Sequence, residues 1–344
     1  MIEDELRAAL AGLLDGLGAK EASAAVERLM GHYRGRTYTD TPVLRDRADV
    51  AAYAAYRMPA TFAAAAAALH ALAERTGGWS PERHVDVGGG TGAAVWAAAG
   101  TWEKPRHTTV LDWAGPALTL GRELAGGAGS ESLRGAEWRQ ERLAEGLELP
   151  EADLVTVSYV LGELGGGERA SVVDAAARAG RAVVLIEPGT PDGYARIIEG
   201  RERLVAEGFR VLAPCPHSGR CPLVPGEDWC HFAERVNRSS LHRRIKGGSL
   251  PYEDEKYSYV AAVRDLPEGP GEPGTPAPAR IIRRPQLPKG QALLDLCDAE
   301  GAPRRRTVTK RHGTALYKAA RDADWGDAWP PPEHETPEGG TREG

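Results

Sequence analysis

No run of apolar residues in this 344-residue chain approaches the roughly 20 needed to span a bilayer. Its start carries Glu3, Asp4 and Glu5 where a signal peptide would be basic, so no membrane association and a cytoplasmic setting are expected. Net positive charge is also missing: the formal balance of -6 at pH 7 excludes a uniformly basic nucleic-acid coat, though not local basic patches. Cysteine is scarce, and 4 unevenly spaced residues speak against a disulfide framework and for metal binding, catalysis or buried thiols. Internal repeats are absent. What remains, with 42% hydrophobic residues, is a chain long enough for one large or two ordinary domains with a real core.

Residues 1–30 place Leu6, Leu10, Leu13, Leu14 and Leu17, then Ala25, Val26, Leu29 and Met30 at helical spacing. From Asp46 to Arg75 the chain reads as a pair of Ala-rich helices, broken or kinked at Pro59. Residues 1–80 are therefore expected to form a helical cap. From 83 onward strands alternate with helices: strands at 84–87, 108–112, 136–141, 153–160 and 182–187, helices at 93–100, 116–124, 170–179 and 194–207, then a further strand near 209–212. This is an α/β, doubly wound, Rossmann-like pattern over 81–213. Residues 214–328 read as a C-terminal lobe, Cys-containing and basic, with a strand at 257–263 and a Pro/Gly-rich connector at 267–279; 329–344 read as a disordered tail.

The densest chemical signal is His84 to Ala98, HVDVGGGTGAAVWAA, a strand, a glycine-rich turn and a helix start. Such a turn brings a ligand close to the main chain and to the unpaired N–H groups of the helix. Gly88, Gly90 and Ala93, with Asp112 further on, formally meet the dinucleotide fingerprint, and a purely structural turn is a second alternative. The fuller pattern, Asp86-x-Gly88-x-Gly90-x-Gly92 with Asp112 ending the next strand, resembles class I S-adenosylmethionine-dependent methyltransferases. That resemblance implies S-adenosyl-L-methionine held by Asp86, Gly88, Gly90, Gly92 and Asp112, with Asp112 on the ribose diol, Trp113 beside the adenine and Gln140 near its edge.

Acceptor-side motifs are missing. After the fourth strand, where amino-group methyltransferases carry Asn/Asp-Pro-Pro-aromatic, the chain reads Ser158-Tyr159-Val160-Leu161-Gly162-Glu163, and no nucleophilic Cys follows either inner strand. The catalytic residues are thus unknown, with Glu163 and Glu187 as weak candidates whose other reading is ordinary strand-end hydrogen bonding.

The cysteines run Cys215-x5-Cys221-x8-Cys230-x66-Cys297. This is neither a zinc ribbon nor a ferredoxin spacing, and metal, buried thiols and disulfides all stay open; His217 and His231 also allow a Cys3His zinc site. The blocks CPHSGRCPL, DWCHFAERVNR and LLDLCDAEG, with AAYAAYRMPATFAA and KRHGTALYKAARDADWGD, resemble methyltransferase-like proteins associated with the mitochondrial small ribosomal subunit and their bacterial relatives, over nearly the whole chain. The resemblance implies an iron–sulfur cluster, 4Fe-4S with zinc as the alternative, on Cys215, Cys221, Cys230 and Cys297, and action on or around small-subunit rRNA in ribosome assembly and translation.

Basic residues cluster at Arg235, Arg238, His242, Arg243, Arg244 and Lys246, and again at Arg280, Arg283, Arg284, Lys289, Arg304, Arg305, Arg306, Lys310, Arg311 and Lys318. Together they suggest a stripe for the RNA backbone, with Tyr252, Tyr257 and Tyr259 available to stack on bases. The expected partner is the small ribosomal subunit and its rRNA, bound by a monomer. A methyltransferase and a catalytically inactive rRNA-binding assembly factor that retains the fold are both compatible with these features.

Overall fold

The computed structural model describes residues 2–13, 24, 26, 47–238, 250–266 and 274–331. His242, Arg243, Arg244, Lys246, most of the second expected N-terminal helix, the heart of the Pro/Gly-rich connector and most of the expected tail lie outside the described residues.

Strands β1 (Arg83–Val87), β2 (His107–Asp112), β3 (Glu137–Gln140), β4 (Ala152–Ser158) and β5 (Gly180–Pro188) are all parallel. Three more join them: β6 (Arg210–Ala213), β7 (Phe232–Asn237) and β8 (Tyr252–Val263). The sheet order is β3-β2-β1-β4-β5-β8-β6, and β8 runs antiparallel to both of its neighbours in that order. The central strands are near-continuous apolar runs because helices cover both faces. Alternation along β5 makes this concrete: Ala182, Val184 and Ile186 enter one core and Val183 and Leu185 the other.

One face is covered by α1 (Ile2–Gly12), α2 (Arg47–Ala73), α3 (Ala93–Thr101) and α4 (Gly115–Gly126), with the short α5 (Glu131–Arg134) at its margin. The other is covered by α6 (Gly166–Ala179) and α7 (Pro191–Ala206). The expected helix pair at 46–75 is instead one helix of 27 residues with Pro59 inside it. Proline removes one backbone donor, but burial of Ala51, Ala54, Met58, Phe62, Ala65, Leu69 and Leu72 against the sheet holds the helix together across that gap.

Beyond residue 213 the sheet continues. Strand β8 was expected within a separate lobe, yet it inserts between β5 and β6, and its 12-residue length also lets its first half pair with β7. A second, antiparallel sheet follows in the order β11-β10-β9-β12, from β9 (Ala279–Ile281), β10 (Ala292–Asp298), β11 (Pro303–Val308) and β12 (Ala328–Trp329). Helix α8 (Thr314–Asp322) packs on it through Tyr317 and Ala320, over Ile281, Leu294, Leu296 and Trp329.

Candidate functional site

The loop after β1 is shaped by left-handed backbone at Gly88, Gly90 and Gly92, with φ of 69°, 53° and 89°. A Cβ at Gly88 would lie 2.6 Å from Val160, and one at Gly92 would lie 2.6 Å from Trp138, so only glycine fits either place. The loop is locked from the next strand. Asp112 accepts the N–H of Gly90 on Oδ2 at 2.9 Å and that of Ala114 on Oδ1 at 2.8 Å.

These residues wall a cavity of about 100 Å³. Gly88 to Thr91 form one side, Asp112, Trp113 and Ala114 a second, Ser158, Tyr159, Val160 and Glu163 a third, and Tyr53, Arg57, Met58 and Thr61 of α2 the fourth. Of the residues expected to hold a cofactor, Gly88, Gly90, Asp112 and Trp113 thus meet at one cavity. Gln140 stands behind it, donating from Nε2 to the Trp113 carbonyl at 2.9 Å, and Gly92 begins α3.

Asp86 does not reach the cavity. It is fully buried beneath the loop, where Oδ1 accepts the Thr156 hydroxyl at 2.6 Å and Oδ2 has no hydrogen-bond partner among the described residues. Thr156 in turn contacts His84 Nε2 at 2.8 Å. Burial, with a smaller push from Asp112, raises the Asp86 carboxyl to about 7, against the pull of the Thr156 hydrogen bond. Burial, then the charge of Arg106, lowers His84 to about 3. Between about pH 3 and pH 7 this interior holds a protonated Asp86 and a neutral His84 bridged by the Thr156 hydroxyl.

The two weak catalytic candidates part company. Glu163 lies on the cavity wall, open to solvent yet recessed among protein; burial and then Asp112 and Glu187 push its carboxyl up. Glu187 is fully buried and occupied: its Oε1 accepts the Leu161 N–H at 3.0 Å and its Oε2 the Arg196 Nε–H at 2.6 Å. Burial raises Glu187, with Arg196 opposing. It is a strut under the turn after β4.

Sequence reasoning missed Arg57, Tyr159 and Glu255. Arg57 on α2 and Glu255 on β8 form a two-point ion pair at 2.9 and 3.1 Å, and the Tyr159 hydroxyl donates to Glu255 at 3.2 Å. Burial works against the Arg57 charge, but Glu255 outweighs it and the guanidinium stays protonated. Tyr159 has φ of 58°, a strained conformation for a side-chain-bearing residue, costing roughly 1–2 kcal/mol. Nothing local marks these residues, which lie as far as 198 positions apart.

A second cavity, of about 40 Å³, is lined by all four cysteines. Cys215 and Cys221 come from the loop after β6, Cys230 from the residues before β7, and Cys297 from β10 of the second sheet. Buried arginines build the loop: Arg201 donates to the carbonyls of His217 and Gly219 at 2.9 and 2.7 Å, and Arg280 to that of Pro214 at 3.0 Å. Tyr194 contacts Cys221 Sγ at 3.2 Å, and His217 Nε2 lies 3.7 Å from Cys297 Sγ. His231 is elsewhere, stacked on Trp229 and edge-on to Trp325. Burial, then the neighbouring sulfurs, raises the thiols of Cys215, Cys230 and Cys297, the last to about 12. Among the described residues no group of three or more His, Cys, Asp or Glu stands ready-made to hold a metal ion, although the four cysteines line one cavity.

The expected RNA stripe is reshaped. Tyr257 and Tyr259 are buried with Phe232 in the core, so neither is available to bases. Arg280 is buried as well. Arg235 pairs with Asp254 and lies over Tyr252, and Arg238 pairs with Glu253. On the second sheet Arg304 meets Asp298 and Arg305 meets Asp295, while Arg306, Lys310 and Arg311 are exposed.

Parallel strands in the order 3-2-1-4-5, an antiparallel strand beside the fifth, a glycine loop after the first and an acid closing the second define a Rossmann-like, methyltransferase-type α/β protein. Within that class, the family described as mitochondrial small ribosomal subunit Rsm22 matches residues 47–330, and the chain belongs to it. It is 29% identical over 330 residues to the human mitochondrial ribosome assembly protein METTL17, a match covering 89% of this chain and 66% of that protein. The mitochondrial ribosome assembly protein RSM22 of Saccharomyces cerevisiae is 23% identical over 179 residues, 35% of this chain and 28% of the yeast protein. The chain therefore spans just under two thirds of the human relative and about a quarter of the yeast one. Among solved structures, an O-methyltransferase family protein from Burkholderia thailandensis aligns with a TM-score of 0.44 at 12% identity, over 71% of this chain and 69% of that one. The mitochondrial descriptions of the family and of these relatives overturn the expected cytoplasmic setting, which rested on the residues at the start of the sequence.

Proposed function

We propose that this chain binds S-adenosyl-L-methionine in the cavity between the glycine loop, Asp112 and α2, and acts on or around small-subunit rRNA as a methyltransferase-like assembly factor. The carrying observation is Asp112, a carboxylate at the end of β2 that fixes the glycine loop and fronts the same cavity as Trp113. A carboxylate there suits a ribose diol, and its negative charge suits a cationic ligand better than a pyrophosphate. The ribosomal role rests on family membership and on the relatives' assembly function. Titration calorimetry with S-adenosylmethionine, S-adenosylhomocysteine and a nicotinamide dinucleotide tests the pocket: micromolar binding of the first two supports it, and binding of the dinucleotide alone sinks it. Labelled methyl transfer to immature small subunits then separates an enzyme from an assembly factor that only binds.

The same proposal includes an iron–sulfur cluster, 4Fe-4S or with zinc as the alternative metal, on Cys215, Cys221, Cys230 and Cys297. What supports it is that cysteines from two distant parts of the chain, Cys215, Cys221 and Cys230 on one side and Cys297 of the second sheet on the other, line one cavity. The donor set is right for such a group, and Arg201 and Arg280 at its wall would offset the negative charge of thiolate ligation. Bound there, the group would supply a cross-link between the two sheets and the positive charge that turns raised thiols into thiolates. A visible absorption spectrum with iron and sulfide analysis of freshly purified protein tests this; zinc without labile sulfide overturns the cluster.

A further inference from the structure

We infer that Arg57 receives the carboxylate of the ligand's amino-acid portion, and that Glu255 and Tyr159 exist to aim it; this rests on the proposed S-adenosylmethionine pocket. Tyr53, Arg57 and Thr61 are spaced four apart on α2, so one stripe of that helix forms a wall of the cavity. Among the described residues lining the cavity, Arg57 is the cation, and Asp112 and Glu163 are the acids. The cavity is therefore bipolar. Its acidic part suits the diol and the sulfonium, and its basic part has no counterpart in a nucleoside.

A carboxylate entering this recess needs donors, because burying it unpaired costs far more than it gains. A guanidinium carries five N–H donors in a plane, and only two of them are spent on Glu255. The two-point pair fixes that plane: a lone arginine on a helix would sweep several rotamers, whereas here both terminal nitrogens are held from β8. Tyr159 completes the clamp by donating to the same Glu255 oxygen while its ring lies 5.7 Å from the guanidinium carbon. Its left-handed backbone at the end of β4 is what carries the ring there, so the strain has a use. Glu255 and Tyr159 act through Arg57 and are positioning residues.

The test is a thermodynamic cycle cut on both sides. Binding of S-adenosylmethionine and of its decarboxylated form, which keeps both the sulfonium and the ammonium, is measured on the full chain and on Arg57→Gln. The intact chain is expected to prefer the carboxylated ligand by on the order of ten- to a hundredfold, and Arg57→Gln to bind the two about equally. Arg57→Lys, which keeps the charge and loses the fork, is expected to fall between, and Tm for each protein shows whether it is folded. If Arg57→Gln does not fold, a ratio in Arg57→Lys equal to that of the intact chain overturns the assignment, and a reduced ratio supports it. A ratio near one in the intact chain overturns the assignment while leaving the pocket standing; no binding of either ligand or of S-adenosylhomocysteine overturns both.

Discussion

Asp112 and Gly90, 22 residues apart, are joined by a hydrogen bond from the Gly90 N–H to Asp112 Oδ2, so the acid at the end of β2 holds the loop after β1 in its left-handed turn. The other oxygen holds Ala114 at the start of α4. Removing the carboxylate therefore removes both a proposed ligand contact and the scaffold of the loop. Asp112→Ala is expected to lose about 2–3 kcal/mol of stability, from two charge-assisted bonds, and on the order of tenfold or more in S-adenosylmethionine affinity. Asp112→Asn, which keeps one acceptor, should recover part of the stability and little of the affinity. Denaturant unfolding beside calorimetry separates the two losses; unchanged affinity in Asp112→Ala would remove this residue from the ligand.

Asp86 and His84 make opposite contributions to pH dependence. The Asp86 carboxyl is raised to about 7, so the folded state holds a proton that the unfolded chain releases near 4, and this stabilisation is lost as pH rises toward 7. His84 is lowered to about 3, so its contribution grows as pH rises from about 3 to 6.5. Between pH 4 and 6.5 the two nearly cancel. Asp86→Asn takes away one side of that balance. Unfolding free energies at pH 4.5, 5.5 and 6.5 should show Asp86→Asn gaining on the unmodified protein by about 1 kcal/mol per unit. A constant difference would mean that Asp86 is ionised throughout.

How much of this was legible in the sequence follows from which relationships are local. Strands β1 to β5 and the glycine loop are written in runs such as HVDV and AVVLIE and in the spacing of Gly88, Gly90 and Gly92. The place of β8 is not, because YSYVAAV says only that a strand is buried and not which strands it separates. Asp86 was read as a ligand contact from its position before the loop. Its register partner is Thr156, and that cross-strand neighbour draws the carboxylate inward. The ion pair of Arg57 with Glu255 depends on α2 packing over β8, a contact with no signature in either segment. The meeting of the cysteines could be expected from their chemistry, but of the two arginines that shape their loop, Arg280 was read as part of the basic stripe and nothing in the sequence marked Arg201.

Surface charge that is already paired contributes little to an RNA footprint, because the partner carboxylate repels the phosphate the arginine attracts. Arg305 is tied to Asp295 by two bonds of 2.8 and 2.9 Å, whereas Arg306, Lys310 and Arg311 are exposed beside it. Replacing Arg306, Lys310 and Arg311 together by alanine should lower the slope of log affinity against log salt for structured RNA by about 2. Arg305→Ala should change it by less than one contact. Equal effects would place the RNA elsewhere on the surface.

Cys297 is the one cysteine supplied by the second sheet, and it lines the same cavity as Cys215, Cys221 and Cys230. A metal or cluster held by all four would therefore bind β10 to the loop after β6, and its loss would be felt in the second sheet before the first. Stripping with a chelator, or Cys297→Ser, should bleach any visible absorbance and lower Tm by about 5 °C or more. Hydrogen exchange should then speed up in β9 to β12 and α8, while β1, β4 and β5 keep their protection, since they are buried by both helical layers independently of the cysteines. Cys297→Ala would behave as Cys297→Ser does, because both remove the ligand. If protection of the second sheet is the same with and without the metal, the cysteines do not tie the sheets together, and their convergence is packing of buried thiols.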